Sequence, residues 1–212
     1  TVLGEAMQQV QQPPKVWLNS SSATIYEDTR GDAPANTESS TRIGSDFSMT
    51  VCQRWEAAFW AALPEGVRPV VLRTTIVLGD GSALAPLAGL AKVGLGGPQG
   101  PGEQYFSWIH LQDFVRAIDH LIQTPIAVGL YNLAAPAPVV NREQMRLLRQ
   151  AVGRSFGLPL ATWMLRLGAV FMGTEVELVL KSRKVISERL PELGFSFDFP
   201  TLAAALQELL GR

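Results

Sequence analysis

The chain has 212 residues, 47% of them hydrophobic and 17% charged, with 18 basic side chains against 19 acidic and a formal net charge of −1. This is enough chain for one large domain or two small ones, and the apolar share excludes a largely disordered polypeptide. The near-neutral charge supplies no global positive field, so no nucleic-acid partner is expected.

A single cysteine, Cys52, excludes an internal disulfide, and with His110 and His120 as the only histidines no metal centre is expected. The apolar runs break well before the roughly 20 residues of a membrane span. No basic-then-apolar leader follows Thr1. The reading is a soluble cytoplasmic protein with no membrane partner.

Thr1 to Gln12 reads as a helix already under way, with Val2, Leu3, Ala6, Met7 and Val10 on one stripe and Pro13-Pro14 as the stop. A helix without a start signal suggests that the chain begins inside a fold. Lys15 to Ser21 reads as a short strand running into a serine-rich turn, and Asp28 to Asp46 as a polar surface loop. From Met49 to Leu63 the positions Val51, Cys52, Trp55, Ala58, Phe59 and Ala62 form a helical stripe.

Arg68 to Gly79 is the strongest predicted strand: a β-branched, nearly unbroken apolar run of the kind a parallel strand buried on both faces requires. Leu84 to Val93 is a predicted helix, followed by an irregular glycine-rich loop from Gly94 to Gly102. Tyr105 to Ile109 is strand-like. Asp113 is expected to cap a helix carrying Phe114, Val115, Ala117, Ile118, Leu121 and Ile122. Gly129 to Ala135 is a further strand, and Asn141 is expected to cap the next helix, with Gln144 returning a bond.

Beyond Gly153 the pattern becomes a tail of helices, with a capping box from Thr174 to Glu177, a stop at Gly194, strand-like alternation of Phe195, Phe197 and Phe199, and Thr201 opening a closing helix. The alternation argues for an α/β protein with a Rossmann-like parallel sheet over residues 1–153 and a smaller, mostly helical lobe over 154–212. Three convincing strands are few for such a sheet, which is expected to be incomplete.

Asn19-Ser20-Ser21-Ser22-Ala23-Thr24-Ile25-Tyr26 falls at the carboxyl end of a predicted strand, where open α/β sheets bind ligands. Read from the residues alone, serines there serve as turn and capping groups. The stretch also resembles the Ser-Ser-Ser-Ala-Thr-Val-Tyr segment of nucleotide-sugar 4-epimerases, extended short-chain dehydrogenase/reductases. The resemblance implies that Ser22 is catalytic, bonding the substrate oxygen during hydride transfer, with Ser20 and Ser21 near the cofactor and Tyr26 near the substrate.

The second motif of that superfamily is Tyr-x-x-x-Lys, followed by Glu one turn on. Aligned through Glu56, Ser48 stands at the tyrosine position and Cys52 at the lysine position. A serine hydroxyl is too weak an acid to replace a tyrosine unaided, and a thiol brings no positive charge. Cys52 also faces an apolar stripe, which suits a packed small hydrophobe.

Phe47-x-x-x-Val51-Cys52-x-x-Trp55-Glu56 resembles one branch of the superfamily, epimerase-like proteins ending in a domain of unknown function. Gly94-Leu-Gly-Gly leading to Trp108-Ile-His110 with Asp113, then Gly173-Thr-Glu175, Leu178 to Arg183, Arg189-Leu and Gly194-Phe-Ser-Phe197, carry the same resemblance. It covers nearly the whole chain. It implies an NAD(P) cofactor, by resemblance NADP, and a small-molecule substrate such as a nucleotide sugar.

Arg73, Thr74 and Val77 then stand on the strand that reaches the nicotinamide. Gln104, Trp108, His110 and Arg183 become substrate-side candidates. Lys181, Arg183, Lys184 and Arg189 otherwise read as a solvated helix face, and Glu175 and Glu177 as helix amino-terminal charges.

The strand, glycine turn and helix that cradle the cofactor pyrophosphate in this superfamily are not found. Gly79-x-Gly81 has the wrong spacing, and Gly94 to Gly102, though a possible anion nest, belongs by resemblance to the substrate lobe. The chain therefore reads as the rear portion of a longer protein, with raw sheet surface that would favour a homo-oligomer. An oxidoreductase or epimerase is one functional expectation. A cofactor-binding sensor that has lost catalysis is a second, and a polypeptide that as it stands binds no nucleotide is a third.

Overall fold

The computed structural model describes residues 2–81, 84–164 and 180–211. The expected capping box at Thr174 and the glutamates Glu175 and Glu177 lie outside the described residues.

Helix α1 (Val2–Gln9) precedes strand β1 (Val16–Ser22), which ends in a one-turn 3-10 helix, Ala23–Ile25. Helix α2 (Phe47–Ala61) follows the polar loop. Strands β2 (Arg68–Thr74) and β3 (Ile76–Leu78), helix α3 (Leu84–Lys92), and strands β4 (Tyr105–Phe106) and β5 (Trp108–His110) come next. Helix α4 (Leu111–Gln123), strands β6 (Gly129–Leu133) and β7 (Val139–Val140), helix α5 (Asn141–Ala151), and the short α6 (Arg189–Glu192) and α7 (Leu202–Leu210) complete the described elements.

The central sheet is parallel, in the order β1-β2-β6, with Ser22 opposite Thr74 and Thr74 opposite Leu133. Every crossover is helical, as parallel neighbours demand. The sheet aligns the carboxyl ends of three strands, and that edge carries the serine turn.

Several local expectations are corrected. The run from Arg68 to Gly79 is two strands, because Thr75 turns its amide and hydroxyl onto the Leu133 carbonyl, at 3.2 and 2.8 Å. The chain then leaves β6, and β3 pairs with β5 instead. Tyr105 to Ile109 likewise divides, β4 pairing antiparallel with β7.

The cap of α4 is His110, whose Nδ1 accepts from the Gln112 amide (3.1 Å), rather than Asp113. The cap position of α5 is Val140, and Asn141 lies inside the helix, its Oδ1 accepting from the Gln99 amide (2.8 Å). Phe195, Phe197 and Phe199 alternate without forming a strand. Their partners are side chains: Phe195 and Phe197 meet edge to face, and Phe199 stacks on His110. Thr201 caps α7 as expected.

Two apolar clusters flank the sheets. One joins Leu78, Leu84, Trp108, Met145, Leu148, Leu202 and Leu206, and the other Val70, Leu72, Ile109, Leu121, Tyr131, Leu133 and Leu190. A third, smaller cluster of Ala23, Ile25, Tyr26, Cys52, Ala134 and Val185 lies under the serine turn. The chain from Ser182 to Ser187 returns to this region. Ser182 Oγ bonds the Thr29 carbonyl, Ser107 Oγ bonds the Arg183 carbonyl (2.6 Å), and the Ile186 amide meets the Asn36 carbonyl (3.0 Å).

Candidate functional site

The serine turn forms because β1 ends at the sheet edge and the following residues curl into one 3-10 turn. Ser22 caps that turn. Its Oγ accepts from the Thr24 amide (3.1 Å) and donates to Thr24 Oγ1 (3.0 Å). Ser22 is half-buried, Ser20 is exposed, and Ser21 is buried with its hydroxyl donating to Glu56 Oε1 at 2.7 Å. Alternation along the strand accounts for this: Ser20 and Ser22 share one face, and Ser21 points to the other.

Beneath the turn lies a buried polar network. Glu56 of α2 receives two guanidinium bonds from Arg73 of β2, at 2.9 and 2.8 Å, and both side chains are at most 10% exposed. The Arg73 guanidinium also lies over the Tyr26 ring, 4.9 Å from its centroid. Burial works most strongly against the charge on Arg73, but Glu56 and Tyr26 together outweigh it and hold the group above its ordinary value.

Tyr26 is fully buried, its hydroxyl 2.9 Å from Asn132 Oδ1 and 3.0 Å from the Thr37 carbonyl oxygen. Burial raises the pKa of Tyr26, against the opposing charge of Arg73. Asn132 is held in turn by Glu38, whose carboxylate accepts from the Asn132 amide and from the Ser187 hydroxyl.

Sequence reasoning used Glu56 only as an alignment anchor and missed Glu38 and Asn132. A signal was available. Glu56 interrupts the buried side of an apolar helix and Arg73 interrupts a buried strand, and two opposite charges on core faces call for one another.

On α2, Ser48 is half-buried and Cys52, one turn later, is buried in the small apolar cluster. Desolvation by that cluster, aided by the Glu56 charge, raises the thiol pKa; Arg183 and Arg73 oppose it more weakly. Arg183 is half-buried and close enough to Cys52 and Asp46 for its charge to be felt at both. Thr74 is half-buried at the end of β2, and Val77 packs against the second apolar cluster.

The remaining candidates lie away from the serine turn. Trp108 is buried, its Nε1 donating to the Ala137 carbonyl (3.3 Å), and Gln104 is buried, its Nε2 donating to the Gln99 carbonyl (2.8 Å). His110 accepts at Nδ1, so its proton is on Nε2, which donates to Glu208 Oε2 at 3.2 Å and fastens α7. Asp113 is buried, and its carboxylate accepts from the Asp198 and Phe199 amides, both at 2.9 Å. The structure thus brings together Ser20, Ser21, Ser22, Tyr26, Ser48, Cys52, Arg73, Thr74 and Arg183, and sets Gln104, Trp108, His110 and Val77 apart.

The glycine loop is not an anion nest. Gly94, Gly97 and Gly100 have the spacing of a phosphate turn, but they follow α3 rather than a strand. Their neighbourhood is committed: the Gly97 amide bonds the Leu158 carbonyl (3.0 Å) and the Gly100 amide the Leu160 carbonyl (2.8 Å). Among the described residues, no group of three or more His, Cys, Asp or Glu could hold a metal ion, and no helix is long and apolar enough to cross a membrane.

Comparison with known proteins agrees with this frame. The family model of a domain of unknown function, DUF1731, matches residues 160–209. The epimerase family protein SDR39U1 of Homo sapiens is 33% identical over 211 residues, which cover 99% of this chain and 70% of that protein. An epimerase family protein of Mycobacterium tuberculosis, MT2273, is 35% identical over 190 residues, covering 89% and 62%.

Among solved structures, human SDR39U1 (isoform 2) with NADPH superimposes with a TM-score of 0.88, covering 99% of this chain and 70% of that one at 33% identity. A nucleoside-diphosphate sugar epimerase from Corynebacterium glutamicum gives 0.78 at 28% identity, covering 99% of this chain and 40% of that one. With a parallel Rossmann-like sheet, a DUF1731 match at its carboxyl end and a third of its residues shared with SDR39U1 across nearly its whole length, this chain belongs to that epimerase family, within the extended short-chain dehydrogenase/reductases.

Proposed function

We propose that this chain acts in NADP(H)-dependent hydride transfer on a small substrate of the nucleotide-sugar class, with Ser22 orienting the reacting oxygen. The observation that carries the reading is the Ser22 hydroxyl: half-buried at the carboxyl end of β1 and, among the described residues, bonded only within its own turn, to Thr24. NADP is favoured because the SDR39U1 relative was solved with NADPH.

The groups present suit the nicotinamide end of such a cofactor. Exposed Ser20 and half-buried Ser22 and Thr74 end two neighbouring strands, whereas no amide nest for the pyrophosphate is found among the described residues. A bound NADP would supply the hydride acceptor. Arg73 and Ser21, each committed to Glu56, hold the turn in place rather than touch ligand.

With Ser48 and Cys52 where a tyrosine and a lysine are usual, the proton of the substrate alcohol needs another route. The Ser22–Thr24 hydroxyl pair provides it: Ser22 takes the substrate proton while passing its own to Thr24 Oγ1 and on to water. Such a pair relays protons without either oxygen standing as a free alkoxide. Arg183, near the same turn, would attract an anionic substrate.

A second reading, a nucleotide-binding regulator without turnover, is favoured by Cys52, a buried neutral thiol in place of a cation. Fluorescence titration of the full chain with NADPH tests both, and no saturable change overturns both. If NADPH binds, turnover of a nucleoside-diphosphate sugar that persists unchanged in Ser22→Ala removes the role of Ser22, and no turnover in the parent leaves the regulator. The open edge of β1 and the exposed Phe47 and Trp55 on α2 further support self-association. A single monomeric boundary in sedimentation velocity would refute it.

A further inference from the structure

Away from the serine turn, the second half of α5 and the turn after it border a hollow of about 590 Å3, lined by Arg146, Arg149, Gln150, Gly153, Arg154 and Ser155. That volume falls in the range of small-molecule sites. The lining holds three guanidinium groups and no carboxylate. Arg146 is occupied by Glu143 through two bonds of 2.6 Å. Arg149 spends one Nη1 bond on the Gly96 carbonyl (2.5 Å), while its Nε is buried and meets no acceptor. Among the described residues, the side chains of Arg154, Gln150 and Ser155 meet no partner.

Arg149 is built into this place. A Cβ on Gly96 would come within 3.1 Å of Arg149 Cγ, and one on Gly157 within 2.8 Å of Arg149 Cδ. Neither glycine has a positive φ; both are bare because backbone crowds them, Ala91 at Gly96 and the Gly96–Gly97 peptide at Gly157, and the arginine stem lies in the same tight corner. The Arg149 Nε is sealed from solvent and out of reach of a ligand in the hollow, but Nη2 is not sealed and meets no acceptor among the described residues, so it is the nitrogen able to take one.

The carbonyl end of α5 opposes an anion, with a partial charge of about half a unit. Those carbonyls are used, however: the Val152, Gly153 and Arg154 amides bond Leu148, Gln150 and Arg149 oxygens. Once Glu143 offsets Arg146, two guanidinium charges remain and exceed the dipole.

We propose that this hollow binds the phosphate group of a small phosphorylated molecule, gripped by Arg149 and Arg154 and flanked by Gln150 and Ser155. Planar guanidinium groups meet phosphate oxygens in pairs of parallel bonds. The site is independent of the nicotinamide reading, since none of its residues touches the serine turn.

The test follows the arginine Nε–H signals of the full chain by proton–nitrogen NMR. The titrants are inorganic phosphate, ribose 5-phosphate, and sodium chloride at matched ionic strength. Saturable movement of the Arg149 and Arg154 signals with phosphate is expected, and about tenfold weaker binding in the exposed-site variant Arg154→Gln. Arg149→Lys, which keeps charge but loses the fork, weakens binding as well. Tighter binding of ribose 5-phosphate identifies a phosphorylated metabolite, and equal binding identifies phosphate itself. Signals that follow chloride equally, or an Arg154→Gln variant that binds phosphate as the parent does, overturn the proposal.

Discussion

Replacing Arg73 by Met is the sharpest test of how the serine turn is held. Arg73 and Glu56 are both nearly sealed from water, at 8% and 10% side-chain exposure, so solvent does little to screen them. Met keeps most of the stem's volume but leaves the Glu56 carboxylate with a single donor, Ser21 Oγ. Breaking a buried pair from one side costs about 3–5 kcal/mol, a large part of the roughly 5–15 kcal/mol that holds a domain folded. At about 2–4 °C per kcal/mol for a chain of this size, Tm should fall by roughly 6–20 °C.

The double variant Arg73→Met, Glu56→Leu removes both charges and should recover much of that loss, because no unpaired charge is left behind. Urea unfolding of the parent, both singles and the double measures the coupling. A loss below about 1 kcal/mol in Arg73→Met, or singles that merely add in the double, would refute the argument that this pair anchors the turn.

Asp113→Ala should cost about 3 kcal/mol, since it strips a charged acceptor from the Asp198 and Phe199 amides; amide hydrogen exchange should show residues 194–199 opening first. Ser22→Ala should cost only about 1 kcal/mol, the worth of a helix cap, in thermal unfolding, so any larger effect on turnover is chemical. Cys52 should resist alkylation at the pH where free cysteine reacts readily, because burial raises its pKa and withholds the thiolate; rapid labelling of the native chain would contradict this. Tyr26 has its pKa raised by burial, so its contribution to stability is complete below about pH 10, the unfolded tyrosine value. That contribution is lost as pH rises through the higher folded value, and urea midpoints should decline on the alkaline side, less so in Tyr26→Phe.

The parallel strands were legible because uninterrupted Val, Ile and Leu runs bounded by glycine and proline have few other uses. The break at Thr75 was not, because only the position of the Leu133 carbonyl, set by another strand, turns the threonine hydroxyl inward. Capping was misjudged for a related reason. Asp113 looks like a cap to any local rule, yet its carboxylate serves amides some 85 residues away, and the vacated cap falls to a histidine. In the site, the serine turn was readable from its place after a strand, and the two departures on α2 only through the resemblance that supplies the Tyr-x-x-x-Lys motif. The occupation of Ser21, Tyr26 and Arg73 by Glu56, Asn132 and one another was not, because pairings between distant segments leave no local periodicity.

That occupation narrows where chemistry can happen. Of the polar groups beneath the turn, Ser21, Glu56, Arg73, Tyr26 and Asn132 all have buried partners, and a ligand could recruit them only by breaking bonds the fold depends on. Ser20, Ser22, Thr24, Ser48 and Thr74 are hydroxyls left exposed or half-exposed there. A turn anchored so firmly from below by one ion pair is suited to holding a hydroxyl in a fixed direction, which is what orienting a substrate oxygen requires. Weakening the anchor with Glu56→Gln should therefore lower kcat more than it raises KM, whereas Ser20→Ala, which removes an exposed hydroxyl and no support, should alter KM for the cofactor first. The opposite pattern would mean that the buried network serves stability alone.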